Sequence, residues 1–473
     1  MLNLSDYPAS EKALRFFEEF SKIPRGSGNT KAIADYLVSF ANARGLEVIR
    51  DSSDNVVIRK PATPGYEDRP GVILQGHTDI VALKNPDCPI NMEKEGLDLY
   101  RDGDYLRARG TTLGADDGVA MAYAMAILDS DDLAHPELEA VFTSDEEVGL
   151  LGATALDASV LRGKLLINID SDEEGIFTAG CAGGGRIDIN LSIKAKTHIG
   201  QIYTLKISGF KGGHSGVEIH KNRANAIKTA AEILSKLKDV RIGKTVAGSA
   251  DNAIPSDAML FFTTKSSMFD IVEAINNAKE NLPEGETDAA FKIDMSVSSA
   301  KLMTVEDSAN ILALINEMPN GVTRMSEDIE GLVETSLNMG IININDKAVD
   351  LTISVRSAVG EEKAKLIAKI KEIAATHGAS VGIRGEYPAW EYRKESHLRD
   401  VMCRVYKDMY GKDATVVTIH AGLECGIFSD KMPGLDCVSI GPDNHDIHTP
   451  EERLSLSSFN RVYEYIINVL KNI

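Results

Sequence analysis

Five short stretches of this chain carry side chains able to hold a metal ion or move a proton. They are GHTD (His77, Asp79), GADDG (Asp116, Asp117), TSDEEVG (Asp145, Glu146, Glu147), NIDSDEEG (Asp170, Asp172) and DNHDIHTP (His445, His448). One such residue alone means little, because an Asp after a strand more often caps a helix than binds an ion. Together, carboxylates and imidazoles without cysteine form the mixed oxygen and nitrogen ligand set that suits zinc, manganese or cobalt. His77, Asp116, Glu147, Asp170 and His448 would serve two adjacent ions, with Asp116 as the bridge. His448 is preferred to His445, a neighbouring loop residue. Asp170 is preferred to Asp172, Glu173 and Glu174 because it ends the apolar run LLINI.

Spacing assigns roles to two further carboxylates. Positions i and i+2 of a strand face the same way, so Asp79 lies beside His77 and can accept its second ring N–H, fixing tautomer and orientation. Adjacent strand residues face opposite ways, so Glu146 and Glu147 reach one site only if the chain turns there. Glu147 then binds metal while Glu146 faces substrate as a general base. A water acidified by metal would pass its proton through that carboxylate to a leaving amine.

The elements that position these residues alternate. NTKAIADYLVSFANARG reads as an amphipathic helix ending at Gly45. LEVIR, NVVIRK, GVILQ, LEAVFTS and KLLINID read as strands, and GVAMAYAMAILDS as a helix. This is the pattern of an α/β sheet flanked by helices, and in open α/β sheets ligands collect beyond the carboxyl ends of strands. Residues 86–105 read as an exposed loop or hairpin. From about 186 the strands alternate polar and apolar residues like half-exposed antiparallel strands (GRIDINLSI, YTLKISGF, VDLTISVRS), with helices in NRANAIKTAAEILSKLK and EEKAKLIAKIKEIAATHG. After YPAWEY the α/β alternation returns. The expected organisation is one α/β domain split between 1–185 and 386–473, with an α+β domain inserted at 186–385.

Composition excludes other classes. The chain has 473 residues and a net charge of −20, without a basic footprint for nucleic acid or an anionic membrane surface. No stretch approaches the length needed to cross a bilayer, and the N-terminal residues do not read as a signal peptide. Five cysteines without CxxC spacing fit a reduced, cytoplasmic protein.

These motifs, with RGTTLGADDG, GCAGG, KGGHSGVEIH, VETSLNMG, IHAGLECGIF and VSIGP, resemble the two-zinc metallopeptidases that include aminoacylases and glutamate carboxypeptidases. Within these, they are most similar to bacterial aminoacyl-histidine dipeptidases. The resemblance runs from about residue 10 to the C-terminus. It implies a catalytic domain with two zinc ions per subunit (cobalt or manganese as substitutes), and an inserted lid domain through which the protein forms a homodimer. One zinc would take His77 and Asp170, the other Glu147 and His448, with Asp116 bridging and a cis peptide at Asp116–Asp117. His214 would stabilise the oxyanion, and Asn252, Arg356 and Gly422 would hold substrate. The implied activity is hydrolysis of dipeptides with a free N-terminus, including Xaa-His and β-alanyl-histidine. The alternatives are an N-acyl amino acid amidohydrolase or carboxypeptidase on the same scaffold, and a non-catalytic peptide-binding protein.

Overall fold

The computed structural model describes residues 4–327, 329 and 331–473. The chain divides into two compact units. The first holds residues up to 181 with 392–418 and 423–473, and the second holds 182–391 with 419–422. These bounds differ by a few residues from those read in the sequence. The first strand of the second unit, Gly183–Ser192, starts three residues before the boundary read at 186. The return of 419–422 has no compositional signal. It is made by tertiary hydrogen bonds: the Ala182 N–H donates to the Ile419 carbonyl at 3.0 Å, and His420 Nε2 lies 2.7 Å from Ser336 Oγ.

The first unit is built on a mixed eight-stranded sheet. Val72–His77 lies parallel between Leu138–Thr143 and Leu165–Asn168, and Asp436–Ser439 runs parallel to the latter. All four strands are buried along their length, as expected of parallel strands covered on both faces. Glu47–Arg50 and Val56–Lys60 extend the sheet as an antiparallel hairpin. Helices Glu11–Phe20, Ala115–Leu128, His397–Tyr410 and Leu456–Asn472 share one apolar core with it. Ala115–Leu128 is hydrophobic all round and almost wholly buried, so it runs through the core rather than over it.

Parallel alignment brings the carboxyl ends of the four strands to one edge. His77 ends the first, and Glu146, Asp170 and the loop to His448 follow the other three. Gly76 is required there. A Cβ at that position would come within 2.1 Å of Asp117 Oδ2 and 2.2 Å of the Ala120 Cβ, so only glycine lets the buried helix approach the strand.

The second unit is an antiparallel sheet with helices Ala226–Ser235, Met268–Glu280, Val305–Glu317 and Gly360–Thr376 packed into its own core. Met268–Glu280 and Val305–Glu317 were not anticipated, although both carry a start signal. Ser267 forms a capping box with Asp270, and Thr304 caps through the Asp307 N–H. Residues 99–108 form the hairpin expected at the end of the acidic loop. Among the described residues no helix is long and apolar enough to cross a membrane.

Candidate functional site

At the carboxyl edge of the first unit, Asp116 stands between two imidazoles. Its Oδ1 lies 2.9 Å from His77 Nε2 and its Oδ2 lies 3.0 Å from His448 Nε2. His448 Nε2 is also 3.0 Å from Glu147 Oε1, and His77 Nε2 is 3.7 Å from Asp170 Oδ1. Two ligand groups result, His77/Asp116/Asp170 and Asp116/Glu147/His448, each with donor atoms within 4.8 Å of one another. A third, His77/Glu146/Glu147, brings the adjacent glutamates onto the same imidazole. All five residues read as metal ligands are therefore gathered, with Asp116 shared. The Asp116–Asp117 peptide is cis.

The electrostatics of this cluster are those of crowded, buried anions. Burial disfavours a charged His77, yet hydrogen bonds to Asp116, Asp170 and Asp79 hold its pKa well above the ordinary histidine value. Hydrogen bonds to Asp116 and Glu147 push His448 up to about 11. Burial raises Asp170 to about 6 and lifts Glu146 well above the carboxylate range. Asp116 is held below that range against burial by hydrogen bonds from His448 and His77. Such a set needs compensating positive charge. Its oxygen and nitrogen donors fit divalent cations.

Asp79 does more than was read from its spacing. The His77 Nδ1 hydrogen bond goes to the Asp79 backbone carbonyl at 3.0 Å, with the nearer carboxylate oxygen at 3.5 Å. That carboxylate instead accepts the N–H groups of Glu146 (3.0 Å) and Glu147 (3.3 Å) and the Ser27 hydroxyl (2.7 Å). Asp79 thus holds both the imidazole and the turn that presents the paired glutamates. Of the acidic residues after Asp170, Glu174 pairs with Arg461 at 2.6 Å, while burial and the charges of Asp116 and Asp170 raise Asp172 to about 8 beside the cluster. His445 packs its ring against Tyr105.

The second unit gathers a different set. Strand pairing places His214 opposite Ala253, and the Ser215 N–H donates to the Asn252 carbonyl at 2.7 Å, so Asn252 sits beside His214. His214 Nδ1 accepts the N–H groups of Gly216 and Val217, each at 3.2 Å. This leaves the ring proton on Nε2. A Cβ on Gly216 would meet His214 Cε1 at 2.9 Å, the His420 carbonyl at 3.0 Å and Arg356 Cζ at 3.2 Å. Burial and the Arg356 charge lower the pKa of His214, and the same causes take His420 down to about 4. Arg356 Nη1 donates to Tyr387 Oη at 3.3 Å, and the Tyr387 ring packs on Gly422. The cluster is rich in donors and favours an anion.

Sequence reading missed Tyr387, Ser336 and His420 here, and the buried carboxylates Glu424 and Glu452 in the first unit. His420 and Glu424 lie within IHAGLECGIF, and Glu452 lies four residues past His448, so the motifs marked their neighbourhood without marking them. The Glu424 carboxylate accepts the Thr143 hydroxyl at 2.6 Å and the Gln75 side-chain amide, underneath the His77 strand.

A mixed sheet with a shared-aspartate ligand cluster at its carboxyl edge defines a metallopeptidase class. The chain belongs to peptidase family M20/M25/M40, which its residues 73–472 match. It is 34% identical over 467 residues to the cytosol non-specific dipeptidase of Escherichia coli, covering 97% of this chain and 96% of that protein. The crystal structure of aminoacylhistidine dipeptidase from Vibrio alginolyticus matches with a TM-score of 0.90 at 34% identity, covering 98% of this chain and 96% of that one. A Bacillus cereus aminopeptidase, 17% identical with a TM-score of 0.57 over 98% of each chain, shares the fold alone. The fold and family implied by the sequence motifs are thereby shown.

Proposed function

We propose that this protein is a metal-dependent dipeptidase acting on short peptides with a free N-terminus, including Xaa-His and β-alanyl-histidine. The observation that carries the reading is Asp116, whose two oxygens face His77 and His448 separately. His77 and Asp170 would hold one zinc ion and Glu147 and His448 the other, with Asp116 serving both. Bound there, the ions would supply Lewis acidity and acidify a water. Glu146 would take a proton from the attacking water and pass it to the leaving amine, a role suited to a buried carboxylate with raised proton affinity. Asp79 keeps Glu146 in place by gripping its backbone N–H. His214, with its proton on Nε2, donates to the developing oxyanion. The planar fork of Arg356 suits the dipeptide carboxylate, with Asn252 and the Gly422 N–H as further contacts.

A cytoplasmic location is supported by five free cysteines and by the name of the E. coli relative. Homodimerisation through the inserted unit is supported by its thirteen-residue edge strand Ala290–Leu302, which pairs on one side only among the described residues. The deciding experiment measures metal content and cleavage of a panel of dipeptides and N-acetyl amino acids, before and after chelation. Two metals per chain and chelator-sensitive dipeptide hydrolysis are expected. Preference for N-acetyl substrates would replace the dipeptidase with an amidohydrolase, and bound metal without any cleavage would leave only a peptide-binding protein.

A further inference from the structure

Glu452 is 3% exposed, and its carboxylate collects the backbone of the loop that carries Asp116. Oε2 accepts the N–H groups of Leu113 at 2.8 Å and Gly114 at 2.9 Å. Oε1 accepts those of Ala115 at 2.9 Å and Asp116 at 3.4 Å, and the Asn444 side-chain amide at 3.4 Å. Four successive N–H groups converging on one carboxylate form a nest at the start of the buried helix, where the helix has no donors' partners of its own. The Glu452 N–H in turn donates to the Thr449 carbonyl at 3.1 Å, next to His448. A single side chain therefore ties the Asp116 loop to the His448 loop, across 336 residues of sequence.

The opposite side of the Asp116 loop is held by a cation. Buried Arg25 donates to the Gly114 carbonyl at 2.6 Å and to the Thr78 carbonyl at 2.8 Å, joining the Asp116 loop to the residue after His77. Gly114 lies between the two clamps in a left-handed conformation with φ of +67°. A Cβ there would meet Ile80 Cγ2 at 2.7 Å and Arg25 Nη2 at 2.9 Å.

We infer that Glu452 is a positioning residue for the ion shared by Asp116, Glu147 and His448. It holds the first and last of these at a fixed separation by gripping backbone rather than side chains. The inference rests on the metal-dependent reading of the site. Glutamine at 452 keeps the shape but turns one oxygen into an NH2 that opposes two N–H donors. Glu139 supplies the control. It is 1% exposed, and its Oε2 accepts the Arg162 and Gly163 N–H groups at 2.7 Å each near the amino end of its strand, away from the ligands.

The test is a cobalt titration of metal-stripped wild type, E452Q and E139Q, followed by visible absorption, with thermal unfolding of each. E452Q should weaken one of the two binding steps by roughly 10–100-fold, the range for groups that orient metal ligands, while E139Q should lose stability and keep both steps. Equal cobalt affinity in E452Q and wild type overturns the inference, as does an equal loss in E139Q. If E452Q does not fold, E452D decides in the same titration, because it keeps the charge but withdraws it by one methylene. The same weakening is expected, and unchanged affinity overturns the inference. Failure of wild type to bind cobalt would instead overturn the metal-dependent reading itself.

Discussion

The two polar clusters of this molecule are electrostatic opposites. In the first unit, Asp116, Glu146, Glu147 and Asp170 crowd two imidazoles, and every imidazole pKa is driven upward. In the second, burial drives His214 and His420 downward, and the nearby Arg356 charge adds to it. The same residue type is tuned in opposite directions by its company. The first arrangement suits cations and proton transfer, while the donors of the second suit an anion. The fold keeps these tasks on separate frameworks: strand ends of a buried sheet for one, a glycine-rich loop and an antiparallel sheet for the other.

Three changes would break or sharpen this contrast. The largest effect is expected for Glu146→Gln, which should lower kcat by roughly 10²–10⁴-fold while leaving metal content and KM near wild type. Activity equal to wild type would remove proton transfer from the first cluster. Next is Arg356→Ala, expected to cost about 2–5 kcal/mol in kcat/KM, mostly through KM, because it strips one partner from a charge pair. A variant that lost kcat at constant KM would show that the second cluster does more than hold substrate.

The smallest effect concerns pH and the chelated protein. Asp170, raised to about 6, and Glu424, raised to about 7, bind protons more tightly folded than unfolded, where they titrate near ~3.9 and ~4.3. Their protonation stabilises the fold fully below the unfolded values, and that contribution is lost as pH rises through the folded ones. His448 behaves likewise between the unfolded ~6.5 and about 11. The Tm of chelated protein should therefore fall between pH 5 and pH 8, and restored metal should flatten the slope because cations then replace protons. A Tm that rises over this range in chelated protein would contradict the charge balance described for the first cluster.

The ligand cluster was legible because His77, Glu147 and Asp170 follow apolar runs and Asp116 opens an apolar helix, and parallel strands deliver their carboxyl ends to a common edge. His448 could be chosen over His445 by its neighbours Thr449 and Pro450. The true partners of Asp79 were not legible, since the approach of residues 146 and 147 to residue 79 is tertiary and leaves no periodic trace. The same holds for Glu452, whose acceptor role depends on backbone N–H groups that no side-chain pattern encodes. Tyr387 was hidden for a third reason, since it ends a strand whose exposed alternation reads as ordinary surface. The helices Met268–Glu280 and Val305–Glu317 had readable caps, but their short apolar stripes bury few residues each, which weakens the period.

Gly184 and Tyr387 are partners in one antiparallel ladder, and a Cβ on Gly183 would lie 2.5 Å from the Ala389 nitrogen. The chain thus enters and leaves the second unit side by side, about one strand spacing of ~4.8 Å apart. A two-residue hairpin loop spans that gap. In genetic terms the second unit is a cassette spliced into a single turn: it can lengthen, shrink or be exchanged without rerouting the sheet that holds the acidic cluster. Residues 419–422 are a second crossing, lent by the first framework to the second.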